Sequence, residues 1–311
     1  MGWPLPLDVT VRVIEEVFRD GFDTTLPEIH SVGSVCVLFS EAIALCVVDT
    51  MVITASTFWA KHLRYRPLRA RKLYFNAGYF GKQEEEWEQT MVLGVTLTCD
   101  HLIAQMNISP YNDSAIKFMQ RNILVTRSVH IYTQTSNTTR SVLRGMRVQP
   151  AVHEVVVAGN SSFFAWRPTN SVVRELTVVF PNATTVAIGA LLMFEKSRES
   201  LFMTIGTVLV DRPGVLCAAQ LEEAIRKWPR LQRLAISGGS LTSVHLLRIA
   251  AACIGLLELS ISRCPEIDAA AVTDAFDARP SLHFMDLSGV GITTSEGELL
   301  VATTGRKLFV V

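Results

Sequence analysis

Three segments near the C-terminus share one spacing of apolar residues, apolar-x-x-apolar-x-apolar: Leu231-Leu234-Ile236, Leu256-Leu259-Ile261 and Leu282-Met285-Leu287, starting 25 and 26 residues apart. A further step of 26 reaches Leu308, with Val311 in the second slot, and a step back of 26 from Leu231 reaches Ile205, followed by Val208 and Val210. Upstream, Val152-Val155-Val157 and Val173-Leu176-Val178 repeat the spacing, and Thr126-Val129-Ile131 stands 26 residues before the first of these. Ile103-Met106-Ile108 and the Leu73-Phe75 run are degenerate members. Within each segment the alternating apolar pair predicts a short strand with one face inward. Helical stretches precede three of the strands, at Leu221 to Trp228, Leu246 to Ile254 and Ala269 to Phe276, and Pro229, Gly255 and Pro280 break them. A single strand and helix cannot bury the apolar face of the strand, whereas stacked copies can, so the spacing predicts a solenoid. A doubly wound nucleotide fold also alternates strand and helix, but it brings a glycine-rich turn after its first strand, and the sequence has none.

The first 60 residues read differently. Asp8 is placed to cap a helix with apolar positions Val9, Val13, Ile14 and Val17, and Val11 and Phe18 widen that stripe beyond one face. Gly21 and Asp23-Thr24-Thr25 end it, and a second helix is predicted from about Pro27, carrying Ile29, Val32, Val35, Cys36 and Phe39. Ala42 to Ala60 is long and apolar enough to raise the question of a membrane span. Asp49 sits near its middle, where a carboxylate costs about 2.5–3.5 kcal/mol against a few tenths gained per apolar neighbour, so the expectation is a buried globular helix.

Composition narrows the classes. The 311 residues are 49% apolar and 19% charged, which excludes a disordered chain. Twenty-nine basic residues balance 29 acidic ones, so bulk charge attracts neither nucleic acid nor an anionic membrane, and neither is expected as a partner. The six cysteines (Cys36, Cys46, Cys99, Cys217, Cys253 and Cys264) form no C-x-x-C pair, and most lie in apolar runs. With no secretory signal after Met1, they predict a reducing compartment, cytoplasm or nucleus, where the Asn-x-Ser/Thr matches at Asn107, Asn112, Asn137, Asn160 and Asn182 are coincidental.

Little catalytic chemistry is legible. Phosphate-binding loops, H-E-x-x-H and G-x-S-x-G are all missing, and none of the seven histidines lies three or four residues from another His or Cys, so neither a metal nor a cofactor is expected. Cys99, Asp100 and His101 are adjacent but point different ways along a regular element, and Gly238-Gly239-Ser240 reads as a loop after a repeat strand. The basic run Lys61, Arg64, Arg66, Arg69, Arg71 and Lys72, with Tyr65 and Tyr74 nearby, nominally combines cations with aromatics as a nucleic-acid groove does. Glu84, Glu85, Glu86 and Glu88 follow, and the pair of runs reads as a solvated connector with Trp87 as its anchor.

The N-terminal residues Leu5-Pro6-Leu7-Asp8-Val9 through Ile14 and Val17, then Val35-Cys36-Val37-Leu38-Phe39 and Ala42, resemble the F-box. With strand-helix repeats after it, the chain resembles F-box proteins of the leucine-rich-repeat type, in particular the divergent fungal ones. The resemblance implies an α/β fold: an N-terminal all-helical F-box-like unit at 1–48, a helical and basic connector at 49–70, and an irregular leucine-rich-repeat solenoid at 71–311. It also implies the receptor of an SCF-type ubiquitin ligase, not an enzyme, whose F-box docks a Skp adaptor, and through it a cullin-RING ligase, while the repeats hold a target protein. On this sequence the adaptor-docking positions are Leu5, Pro6, Val9, Ile14, Val17, Val35, Cys36 and Phe39, each of which serves equally as core. The asparagine that regular repeats place after the strand is missing; Cys264, Gly239 and Val290 occupy the slot, which predicts uneven repeats.

In an arc of such repeats, the side chains between the inward apolar residues face the concave side. That selects Arg233, Ser237, Glu258, Ser260, Ser262, Phe284, Asp286 and Ser288 as the target-binding set, with Phe284 as the aromatic anchor. Two other readings stay open. One is a scaffolding repeat protein whose N-terminal helices cap the apolar end of the solenoid. The other is an α/β hydrolase assembled from distant segments. An adaptor leaves the apolar outer face of residues 9 to 18 in water; a cap buries it.

Overall fold

The computed structural model describes residues 6–19, 24–25, 41–43, 45–54, 69–77, 96–106, 113–159, 169–188, 223, 225–237, 241–262 and 264–309. The chain divides into two compact units, Met1–Tyr132 with Gly145–Ala151, and Thr133–Arg144 with Val152–Val311.

In the first unit, helix α1 (Leu7–Arg19) precedes strands β1 (Thr24–Thr25), β2 (Val47–Thr54), β3 (Arg69–Ala77), β4 (Leu97–Met106) and, after helix α2 (Asp113–Asn122), β5 (Ile123–Thr133). The strands lie in chain order, and β1–β2, β2–β3 and β3–β4 pair in parallel. Two expectations are corrected. The segment 42–60, expected as a buried helix, carries β2, whose Val47, Val48, Thr50, Val52, Ile53 and Thr54 are β-branched and favour a pleated surface. The N-terminal block is not all-helical, because Thr24 and Thr25 pair with Met51 and Val52 of β2. The second helix expected from Pro27 lies outside the described residues. Leu7 opens α1, the Thr10 N–H donates to the Pro6 carbonyl, and Asp8 sits in the first turn, where its charge complements the helix dipole.

Strands β2, β3 and β4 share an irregularity that period-two reasoning does not foresee. Register runs Val48↔Ala70↔Cys99 and resumes at Thr50↔Lys72↔His101, with Asp49, Arg71 and Asp100 at the level between them outside the ladder pairing. Burial follows: Val48 and Met51, Ala70 and Leu73, Cys99 and Leu102 are buried, with two consecutive outward residues between them. Each strand breaks its alternation at the same level, with the register offset unchanged across the break. In β5, Val125 and Val129 face inward with three residues between them.

In the second unit α3 (Ser136–Gly145) is followed by β6 (Glu154–Gly159), α4 (Asn170–Val179), β7 (Thr185–Ile188), β8 (Arg233–Ser237), α5 (Ser243–Ala252), β9 (Glu258–Ser262), α6 (Ala269–Ala278), β10 (Phe284–Asp286), α7 (Thr294–Thr304) and β11 (Lys307–Phe309). Strands β6 to β11 again lie in chain order, with every neighbouring pair parallel. Val155 and Val157, Val186 and Ile188, Leu234 and Ile236, Leu259 and Ile261, and Met285 and Leu287 are all buried, as the repeat spacing requires. A backbone device marks the start of β7 to β10. The N–H groups of Thr184 and Thr185 both donate to His153 O, those of Gln232 and Arg233 to Thr184 O, those of Leu257 and Glu258 to Gln232 O, and those of His283 and Phe284 to Leu257 O.

This device corrects the phasing at two places. Val173-Leu176-Val178, read as a repeat strand, lies in α4, capped by the Thr169 hydroxyl, which accepts from the Val172 N–H; the strand is β7, with Ala183-Val186-Ile188 in the apolar slots. Leu308 pairs with Met285, in the second slot and not the first, because the last connection is shorter than the earlier ones. The step to Ile205, Val208 and Val210, the basic residues Lys61, Arg64 and Arg66, and the acidic run with Trp87 lie outside the described residues. Among the described residues no helix is long and apolar enough to cross a membrane.

Candidate protein-binding surfaces

Helix α1 carries the first surface. Its buried positions are Thr10 and Ile14, each 2% exposed, and the Thr10 hydroxyl donates to the Pro6 carbonyl within the helix. The Glu15 carboxylate accepts from the Val47 N–H at 2.9 Å and ties the helix to the start of β2. Val9, Val13 and Val17, one turn apart along the helix, are 36%, 50% and 61% exposed. The hydrophobic stripe is therefore split: Ile14 faces the protein and the three valines face water. On another side of α1, Leu7, Asp8, Val11, Arg12, Glu15 and Leu45 line a cavity of about 560 Å³.

Of the positions assigned to adaptor docking, Val9 and Val17 lie on this exposed stripe, Pro6 is exposed just before the helix, and Ile14 belongs to the interior. Leu5, Val35, Cys36 and Phe39 lie outside the described residues. Val13, which sequence reasoning placed in the helix stripe but not in the docking set, stands between Val9 and Val17. Its i+4 spacing from Val9 was the available signal.

The second surface is on strands β8 to β10. Arg233, Glu258 and Phe284 form one row across the three strands, and Ala235, Ser260 and Asp286 the next. In the first row Arg233 Nε lies 3.2 Å from Glu258 Oε2 and His283 Nε2 lies 3.9 Å from Glu258 Oε1, so the Glu258 carboxylate sits between two basic groups while Phe284 is half-buried. In the second row, Ser260 is fully buried with no partner for its hydroxyl, and Asp286 is buried and accepts from the N–H and hydroxyl of Ser288 at 3.1 and 2.7 Å. Ser260 and Asp286 thus offer no surface, and Ser288 is half-exposed. Ser237 and Ser262 close β8 and β9.

Among the described residues, three buried cysteines are held in the protonated form. Burial, reinforced by Glu15 beside Cys46 and by Asp100 beside Cys99, pushes both thiols up to about 12; burial does the same at Cys253, against the opposing charge of Arg279. Thiols that stay protonated are poor nucleophiles. Cys99 points into the core, whereas the Asp100 carboxylate accepts from the Thr126 hydroxyl and His101 Nδ1 meets the Ser128 hydroxyl at 2.7 Å, so the three neighbours take separate partners. Among the described residues no three His, Cys, Asp or Glu side chains converge on a metal position.

No protein-family model matches the chain, and no curated protein matches it. Among solved structures, a chain of the complex of Rad7 and Elc1 in yeast aligns with 93% of this chain and 89% of its own length, at 10% identity and a TM-score of 0.36. A likeness of that size carries no argument about function.

Proposed function

We propose that this protein is a non-enzymatic substrate receptor in which α1 docks a Skp-type adaptor of a cullin-RING ubiquitin ligase, in a reducing compartment, cytoplasm or nucleus, while a sheet face holds a target protein. The observation that supports the reading is the outward stripe Val9-Val13-Val17, which adjoins the side of the helix already packed through Thr10 and Ile14. In the competing reading, where the helix caps an apolar end, those valines would be out of water. Burying a valine fully is worth about 1.5–3 kcal/mol, so three partly exposed ones supply enough to anchor one helix in an interface.

The test is a binding titration of the full chain against a purified Skp adaptor, beside a variant carrying Val13→Asp and Val17→Asp. Both positions are exposed, so the variant keeps its circular dichroism and thermal midpoint, and its affinity falls at least tenfold. A folded parent that does not bind, or a variant that binds as the parent does, rejects the proposal.

A further inference from the structure

The outward face of strands β2 to β5 is built in rows. Nearest the strand starts it carries Arg69 and Thr98, then Asp49, Arg71 and Asp100 at the kinked level, with Arg127 of β5 beside Asp100, then Thr50, Lys72 and His101, then Val52, Tyr74 and Ile103. Charges alternate along the kinked level. Arg71 Nη1 lies 3.1 Å from Asp49 Oδ1 and Arg127 Nε lies 4.0 Å from Asp100 Oδ2, so each carboxylate of the face already has a cation beside it. Arg69 and Lys72, both exposed on β3 on either side of Arg71, have no acidic partner among the described residues. The face therefore holds four cations against two carboxylates, in a protein with formal net charge +0. Two residues farther along β3 from Lys72, the half-buried Val52, Tyr74 and Ile103 are register partners on three adjacent strands and form an apolar row.

We infer that this face binds an acidic protein segment that places carboxylates on Arg69 and Lys72 and an aliphatic or aromatic side chain on the Val52-Tyr74-Ile103 row. Charge complementarity selects the acidic partner: the internal pairs neutralise Asp49 and Asp100, so a cationic ligand meets only competition, whereas a carboxylate meets two cations with no acidic partner among the described residues. The apolar row selects a polypeptide over a nucleic acid. Two of its three members are aliphatic and give a base nothing planar to stack on, and two spare cations fall short of the phosphate contacts that dominate nucleic-acid affinity. Strand geometry fits the spacing, since Lys72 and Tyr74 are two residues apart on one face, about 6.6 Å, the distance that separates alternate side chains of an extended peptide. This surface is separate from the valine stripe of α1, so its test stands whether or not α1 docks an adaptor.

The experiment is fluorescence anisotropy with the full chain and fluorescein-labelled peptides of four dipeptide repeats: Asp-Leu, Asp-Ser and Lys-Leu, with a labelled oligothymidylate of matching length as the nucleic-acid arm. The Asp-Leu peptide binds, the Asp-Ser peptide binds at least fivefold more weakly, the Lys-Leu peptide does not bind, and raising salt from 50 to 500 mM weakens the Asp-Leu complex several-fold. Arg69→Glu with Lys72→Glu lowers that affinity tenfold or more. The milder Arg69→Gln with Lys72→Gln lowers it about threefold to fivefold, with an unchanged thermal midpoint. Failure of the Asp-Leu peptide to bind, equal binding of the Lys-Leu peptide, tighter binding of the oligonucleotide, or a folded Gln variant with parental affinity overturns the inference.

Discussion

Gln149 shows how one side chain completes a strand. It is buried, its Oε1 accepts from the Val125 N–H at 3.0 Å, and its Nε2 donates to the Ile123 carbonyl at 3.2 Å. The amide thus gives β5 the donor and acceptor pair that a neighbouring backbone would supply. Removing it strands two buried backbone groups, and an unmet buried donor or acceptor costs about 1–3 kcal/mol. Gln149→Met, which keeps volume and loses both bonds, is expected to lower unfolding free energy by about that amount in urea titrations, where exposed Arg147→Ala changes it by less than about 0.5 kcal/mol; equal stabilities of the two variants would contradict the role. Nothing in the sequence signals Gln149, because a buried glutamine has no periodicity of its own. The apolar slots are the opposite case: Leu231, Leu234, Ile236, Leu256, Leu259, Ile261, Leu282, Met285 and Leu287 were all legible and all are buried. For the set assigned to target binding, alternation placed the strand positions but not their exposure. Arg233, Glu258 and Phe284 stand where alternation puts them with surface left, but alternation fixes which face a side chain takes and not whether that face is open, so Ser260 and Asp286 end up buried.

Elements were legible where propensity, caps and period agreed. Helices α5 and α6 fall where the apolar stretches placed them, within a few residues, and α7 adds a capping box in which the Thr293 N–H donates to Glu296 and the Glu296 N–H to the Thr293 hydroxyl. The miss at β7 has a physical cause. Val173-Leu176-Val178 fits the strand spacing by coincidence of periods, while buried Val172, Val173, Leu176 and Val179 follow the helical one, and Ala183 in the true first slot is too small to stand out. Thr169 before the stretch and Pro181 after it were the deciding signals. In the first unit the shared kink breaks the alternation near the third or fourth residue of each of β2 to β4, which hides strands of 8 to 10 residues from any period-two search. Between elements, Arg279 closes the end of α5: its Nε and Nη2 donate to the carbonyls of Ala250 and Ala251, both at 2.8 Å. Helix ends leave such carbonyls orphaned, and a charged donor there is favourable both as a hydrogen bond and against the helix dipole. Arg279→Met is expected to destabilise the second unit by about 1–2 kcal/mol, and Arg279→Lys, which cannot fork, by a substantial part of that. Hydrogen exchange checks it by residue: amides at the C-terminal turn of α5 lose protection first, and unchanged rates there would assign the guanidinium to the surface only.

At the scale of the whole molecule, the balance of charge and the placement of thiols set how the protein responds to pH. Equal basic and acidic counts leave little self-repulsion near pH 7.0, so stability there is not limited by net charge. Alkaline conditions act through Cys46 and Cys99 in the first unit and Cys253 in the second, whose thiols burial holds up to about 12 against an ordinary value of 9.0. The sign follows from which state keeps its protons. In the unfolded chain these thiols ionise from about pH 9, while in the folded protein they stay neutral until about 12, so the unfolded state binds fewer protons across that window and stability falls as pH rises through it. Below 9 both states are protonated and the contribution is complete. Urea midpoints are therefore expected to be level from pH 7 to 8.5 and to fall between 9 and 11, with a shallower fall in a variant carrying Cys46→Ala, Cys99→Ala and Cys253→Ala once its lower plateau is taken as reference. Site-resolved alkylation at pH 8 supplies an independent reading: the same three thiols remain unmodified in the native protein and react in denaturant. Rapid native labelling at all three, or a parent and variant with the same alkaline slope, would show that ionisation of these thiols does not govern the transition.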